Sequence, residues 1–296
     1  MKKLPDGPGA AGSFLGLEGE LACFETAEVC IIPAPFEAST SFGHGTSNGP
    51  AALIEASRNI EGYDVETQCE VFNVGIHTTA PLEGDSPQDF LNRLEKETER
   101  IVQAGKFPVI LGGEHTITAA PIRALARFHE EFSILQFDAH TDLRDEYEGN
   151  PLSHACVMAR AKECPKVRNV VAVGIRAMDI SERENSIGED LFFDHVIESH
   201  PAWIDAVIER LAPKVYITFD LDVFDTATMP STGTPEPGGM GWFACMRLLQ
   251  RVCREREVIG FDVVELMPLS MFKAPDFLAA KVVYKFLNYR FAAECC

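Results

Sequence analysis

Two acidic stretches, each directly behind an apolar run, carry the residues best suited to chemistry. Phe132-Ser-Ile-Leu-Gln-Phe137 has the short, bounded hydrophobicity of a buried strand and runs into Asp138-Ala-His-Thr-Asp142. Side chains two apart in an extended chain share a face, so Asp138, His140 and Asp142 are expected to leave the strand aimed at one point. Val215 to Phe219 repeats the pattern and ends in Asp220-Leu-Asp222. Four carboxylates at the ends of two apolar strands would repel one another and lose hydration, which cations must balance. A mixed carboxylate and imidazole set suits Mn²⁺, Zn²⁺ or Fe²⁺ better than Ca²⁺, and the absence of cysteine from the cluster weakens the case for zinc.

Four further residues are candidates with two readings each. His115 follows the run Pro108-Val-Ile-Leu111 and two glycines that let the backbone turn tightly; alone it fits a structural role, beside four carboxylates it fits ligation. Glu265 stands behind Val258 to Val264, as a strand-end carboxylate or a solvated loop acid. His154 opens a helical run to Ala161, and His44 sits among glycines in a Gly/Ser/Thr-rich loop over residues 34–50. Long loops inside compact domains are often functional, yet an exposed histidine there is equally natural.

The elements that must position these groups alternate. Strands are expected at Val29–Pro33, Glu70–Ile76, Pro108–Leu111, Phe132–Phe137, Val170–Gly174, Val215–Phe219 and Val258–Val264. Helices fall between most of them, at Ala51–Ala56, behind the Ser86-Pro87 cap, and at 117–128, 154–161, 201–211, 242–254 and 275–289. Alternation of this kind implies a mostly parallel sheet covered on both faces, with ligands at the carboxyl ends of its strands. Residues 1–27, with their Pro, Gly and acidic content, read as a loosely structured arm that packs on a neighbour, and 28–296 as one catalytic domain.

The bulk properties exclude several classes. A formal charge of −19 argues against nucleic acid and anionic membranes and favours a cationic ligand. No run approaches the roughly 18 apolar residues of a membrane span and no signal-peptide core is present, so a cytoplasmic location is expected. The nine cysteines form no CxxC pair, which fits reduced thiols, with Cys295 and Cys296 as an exposed tail.

Gly-Gly-Glu-His at 112–115, Asp-Ala-His-Thr-Asp at 138–142, Phe-Asp-Leu-Asp at 219–222 and Asp-Val-Val-Glu-Leu-Met-Pro at 262–268 occur in the order and context of the arginase and agmatinase family, the ureohydrolases. The resemblance extends from Val29 to Tyr289. It implies a three-layer αβα arginase-like fold with a central, mostly parallel sheet and a site for two Mn²⁺ ions per subunit, at which a metal-bridging hydroxide hydrolyses a guanidinium. Carried across by motif, His115, Asp138, Asp142 and Asp220 would hold one ion and Asp138, His140, Asp220 and Asp222 the other, with Asp138 and Asp220 bridging. Asp142 would also shuttle a proton to the leaving amine, Glu265 would grip the guanidinium, and His154 would serve proton transfer near the mouth. Glu114 departs from the Asp that many members carry before the metal histidine. Trimers or hexamers are the assemblies the resemblance implies.

The expected substrate is a small cationic guanidino compound. Thr-Gly-Thr-Pro-Glu-Pro-Gly-Gly at 232–239 and the loop 142–158 look more like agmatinases than arginases. Asp145, Glu146 and Glu148 make that loop acidic, favouring an amine-terminated agmatine cleaved to putrescine and urea. Arg144 and Arg176 keep carboxylate-bearing alternatives open: arginine, guanidinobutyrate or formiminoglutamate. A dimetal phosphoesterase would use similar ligands, but the negative charge and the lack of a phosphate cradle oppose it.

Overall fold

Eight strands, each short and apolar, form one parallel sheet. The computed structural model describes Leu4, residues 9–186 and residues 190–295. The strands are β1 (Val29–Ala34), β2 (Ile76–Thr78), β3 (Phe107–Gly112), β4 (Phe132–Phe137), β5 (Val167–Ile175), β6 (Asp190–Phe193), β7 (Lys214–Asp220) and β8 (Glu257–Val264). Their order across the sheet is β2-β1-β3-β8-β7-β4-β5-β6, every pair parallel. Alternate residues of one strand enter different cores: Val29 and Ile31 belong to the core that also takes side chains of the helices 49–57, 242–255 and 274–295, while Cys30 and Ile32 belong to the core that takes those of the helix 87–103. A sheet clothed on both sides needs apolar residues at every position, which is why its strands read as continuous hydrophobic runs. The result is the expected three-layer αβα arrangement.

Some covering helices are held by a single apolar stripe, whereas the last one, 274–295, is buried nearly all round. Pro87–Gln103 begins at Ser86, whose hydroxyl accepts the Asp89 N–H at 3.2 Å, and buries Phe90, Leu91, Leu94 and Ile101. Burial of such side chains is worth roughly 1.5–3 kcal/mol apiece.

Three features differ from the sequence expectation. Glu70–Ile76 is not a strand: Val71–Val74 is a 3-10 turn, Gly75 takes φ 81, and pairing begins only at Ile76. A Cβ on Gly75 would lie 2.9 Å from the Ala27 backbone, so the interruption is built into the sequence. The edge strand β6 was absent from the expected seven, because its four half-buried residues carry no sustained pattern. Within the stretch expected as a loose arm, residues 9–27 pack on their own chain. Phe14 and Leu17 are buried, the Phe14 N–H donates to the Thr78 hydroxyl at 3.0 Å, and the Leu15 N–H donates to Ser57 at 2.8 Å. These contacts seat the stretch beside β2, an edge strand of the sheet.

Seven described cysteines are free thiols, while Cys296 and the Cys295 side chain lie outside the described residues. Among the described residues no helix is long and apolar enough to cross a membrane.

One buried ion pair ties the last helix to the loop after the first. Lys285 donates to both oxygens of Asp64 at 3.0 and 3.1 Å, with side chains 8% and 4% exposed. Burial works against the Asp64 charge, but the Thr67 N–H and Lys285 outweigh it and hold the carboxyl below its usual range. Lys285→Met is therefore expected to cost about 3 kcal/mol at neutral pH in urea denaturation, because it strands a buried carboxylate. A depressed folded pKa gives stability that is complete above the unfolded value near 4 and is lost as pH falls through the folded one. The difference between variant and parent should accordingly shrink below about pH 4; equal midpoints at pH 7 would discount the pair.

Candidate metal centre

Strands β3, β8, β7 and β4 are neighbours in the middle of the sheet, and their carboxyl ends supply all the candidate ligands. His115 comes after β3, Glu265 after β8, Asp220 and Asp222 from the end of β7, and Asp138, His140 and Asp142 after β4. Donor atoms of His115, Asp138 and Asp220 lie within 4.8 Å of one another, as do those of Asp138, His140 and Asp222. Asp138 is common to both groups. Within them His115 Nδ1 is 3.2 Å from Asp138, 3.1 Å from Asp142 and 3.4 Å from Asp220, and His140 Nδ1 is 2.9 Å from Asp222.

Convergence is achieved less by strand alternation than by the loops. β4 ends at Phe137, so the Asp138 to Asp142 segment is already irregular. Asp142 adopts φ 52, a left-handed conformation that costs about 1–3 kcal/mol outside glycine. Glu182 holds it there by accepting from the Thr141 hydroxyl at 2.7 Å and the Leu143 N–H at 2.8 Å, on either side of Asp142. On β7 the Asp220 carboxylate accepts the Asp222 N–H at 2.8 Å, which fixes those two acids relative to each other. Gly113 is required by close approach and not by a turn: a Cβ there would sit 2.0 Å from the Phe36 carbonyl oxygen. Glu265 also has a positive φ, of 65, and its Oε1 accepts the His115 N–H at 2.7 Å.

The donor set fits metal ions. His115 Nδ1 is buried without a hydrogen-bond partner although three carboxylates face it. Its other nitrogen lies 2.8 Å from the Thr218 hydroxyl, which itself donates to Asp262 at 2.6 Å. Thr218 therefore accepts from Nε2–H, leaving the Nδ1 lone pair for a cation. Electrostatics give the same answer. Burial opposes charge on His140, but Asp222 and Asp138 push its pKa up to about 12. Burial and the neighbouring Asp222, Asp138 and Glu265 push Asp220 well up, and burial with Asp138 raises Asp142. Asp138 moves the other way, because the two histidines beside it outweigh its burial. Four carboxylates sharing two imidazoles thus lack positive charge, and two divalent ions would bring the cluster to balance.

Above the cluster opens a cavity of about 320 Å³ lined by His115, His140, Asp142, Asp220, Glu265 and His154 together with residues from three other segments. The His154 ring packs edge-on against Tyr147, with centroids 6.2 Å apart, and its Nδ1 lies 3.3 Å from the Ser39 hydroxyl. Asp179, Glu182 and Glu236 also line the wall and were missed by the sequence reading. Asp179 and Glu182 stand just beyond β5, where the strand-end rule would have found them. Asp145, Glu146 and Glu148, expected to make the site acidic, are exposed and do not line it. His44 has a side chain 72% exposed and pairs with Thr40 at 2.8 Å, away from the cavity wall.

The two candidate carboxylate receptors are both engaged. Arg176 donates to the carbonyls of Asp222, Glu236, Gly174 and Phe224 and so braces the loops, with no role as an anion site. Arg144 lies over the Tyr147 ring, 3.6 Å from Asp179 and 4.0 Å from Glu182.

Comparison with known proteins agrees with this geometry. The chain is 37% identical over 289 residues, 92% of each protein, to N(1)-aminopropylagmatine ureohydrolase of Synechocystis sp.. It is 32% identical to agmatinase of Bacillus subtilis, covering 83% of this chain and 86% of that one. The agmatine ureohydrolase structure of Thermoplasma volcanium superposes with a TM-score of 0.87 at 28% identity, over 96% of both chains. With the Arginase family model matching residues 27–288 as well, this chain belongs to the Arginase family and is an agmatinase-like ureohydrolase.

Proposed function

We propose that the chain is a manganese-dependent amidinohydrolase that cleaves the guanidinium of an agmatine-type cation to urea and an amine, putrescine where agmatine itself is the substrate. The observation carrying this reading is the charge of the cavity. Among the described residues that line it, Asp179, Glu182 and Glu236 add to the metal-site acids, while the single arginine is already paired with two of them. Such a wall attracts a substrate ending in ammonium and opposes one ending in carboxylate. A cytoplasmic homo-oligomer is part of the same proposal, supported by the family resemblance.

His115, Asp138, Asp142 and Asp220 would hold one Mn²⁺, and Asp138, His140, Asp220 and Asp222 the other. When bound, such a pair supplies the Lewis acidity that makes water a nucleophile near neutral pH. The remaining work belongs to side chains. Glu265, whose Oε1 is tied to the His115 N–H, keeps Oε2 for the planar guanidinium; Gly233 lies beside that oxygen, where even a Cβ would come within 3.3 Å. Asp142 receives the proton of the attacking water and passes it to the leaving amine. His154, on the cavity wall, exchanges protons near the mouth.

A second substrate, N1-aminopropylagmatine, is favoured by the higher identity to relatives of that name, 37% against 32% for the Bacillus enzyme. Urea release from agmatine, N1-aminopropylagmatine, arginine and guanidinobutyrate by the Mn²⁺-loaded protein tests the proposal. One of the first two should exceed the last two by at least about 100-fold in kcat/KM, roughly 2.7 kcal/mol; arginine as the best substrate, or no urea from any, would overturn it.

Metal loading should also be pH-dependent. With His140 raised to about 12, the metal-free site carries a proton there throughout the neutral range, and loading must expel it. Mn²⁺ affinity is expected to weaken about 10-fold or more for each pH unit lowered, in titration calorimetry between pH 8 and 6. A pH-independent affinity would contradict the ligand role of His140.

A further inference from the structure

We infer that Ser39 and Glu114 are positioning residues that fix the tautomer of His154, so that its Nε2 is the nitrogen free to exchange protons. The inference rests on the proton-transfer reading of His154 above. Glu114 is fully buried and, as a carboxylate, only accepts. Its Oε2 takes the backbone N–H groups of Ala38 and Ser39, both at 2.7 Å, and its Oε1 takes the hydroxyls of Ser39 at 2.6 Å and Thr116 at 2.7 Å. The single hydroxyl proton of Ser39 is thereby spent on Glu114. What remains on Ser39 Oγ is acceptor capacity, and both groups that use it belong to His154: its backbone N–H at 3.0 Å and its Nδ1 at 3.3 Å. Nδ1 must then carry a hydrogen, which leaves Nε2 unprotonated in the neutral ring.

The same contacts fix place as well as protonation. Ser39 lies in the loop between β1 and the first helix, whereas His154 starts the 3-10 turn His154–Cys156 far along the chain. Glu114 joins them through the segment after β3, and its own N–H donates to the Phe36 carbonyl at 2.9 Å. A residue that adjoins the metal histidine His115 in sequence is thus linked through Ser39 to His154 on the cavity wall, and the longer Glu at this position supplies a carboxylate for four donors at once.

The test is a double-substitution cycle on the manganese-loaded enzyme, read as urea release together with bound manganese. Ser39→Ala is expected to lower kcat about 10- to 100-fold, the range for loss of an orienting partner, with KM and manganese content retained. Adding it to His154→Ala should cost nothing further, because the residue it orients is already gone. Ser39→Thr keeps the hydroxyl and should recover turnover, separating loss of the hydrogen bond from collapse of the loop. Full turnover in Ser39→Ala, losses that multiply in the double variant, or a Ser39→Thr enzyme as slow as Ser39→Ala would each overturn the assignment. An undiminished His154→Ala enzyme would instead remove the proton-transfer role of His154 itself, and this inference with it.

Discussion

Asp138→Ala is expected to strip both metal positions and to lower kcat/KM at least about 10,000-fold, since the chemistry has no nucleophile without the metal pair and enzymatic accelerations span a million-fold or more. Asp138 belongs to both groups of converging donor atoms found among the described residues, and with Asp220 it is shared by both proposed ligand sets. Its oxygens are pre-aimed by Gln136 Nε2 at 2.8 Å and by the His140 N–H at 2.6 Å. Removing it also takes away the charge that keeps His115 and His140 in place, so affinity should fall for either ion and not for one alone. Metal analysis after dialysis reads the outcome directly. A variant that still carries two tightly held ions per subunit would show that Asp138 does not join the positions.

Glu265→Gln separates substrate binding from metal binding. The Glu265 backbone N–H donates to Gly113 O at 2.8 Å, and its side chain accepts the His115 N–H, so an amide oxygen can preserve both contacts. What the amide cannot supply is the negative charge that pairs with a guanidinium at so buried a position. Turnover is expected to drop about 1,000-fold, comparable to losing a major electrostatic contact to the reacting group, with manganese content unchanged. Burial and the nearby Glu114 push the Glu265 carboxyl well up, so a bound cation is needed to hold it ionised. Equal activity in parent and Gln variant would remove Glu265 from the substrate site.

Much of this was legible in the residues. The strand runs were plain because both faces of the sheet are buried, and the ligand carboxylates stood out because they are charged groups at the ends of largely apolar runs. The convergence of Asp138, His140 and Asp142 was anticipated for an incomplete reason. Strand alternation would scatter them once β4 ends, and it is the Glu182 clamp on Thr141 and Leu143 that gathers them. A clamp between residues about forty apart leaves no periodic trace. Arg176 looked like an anion receptor by charge alone, yet its partners are backbone carbonyls, which composition cannot display. The acidity of the cavity was expected from the wrong segment, because exposed Asp145, Glu146 and Glu148 announce themselves in sequence more loudly than Asp179 and Glu236.

The placement of β8 between β3 and β7 has a consequence for biogenesis. It is the last strand to be made, and without it the sheet falls into two unconnected flaps, one bearing His115 and the other bearing the five aspartate and histidine ligands from β4 and β7. A nascent chain can therefore assemble neither a complete centre nor a continuous core before residue 264 has left the ribosome, and capture of the ion whose ligands include His115 would mark finished chains, whereas the other ion's ligands all stand on the half built from β4 and β7.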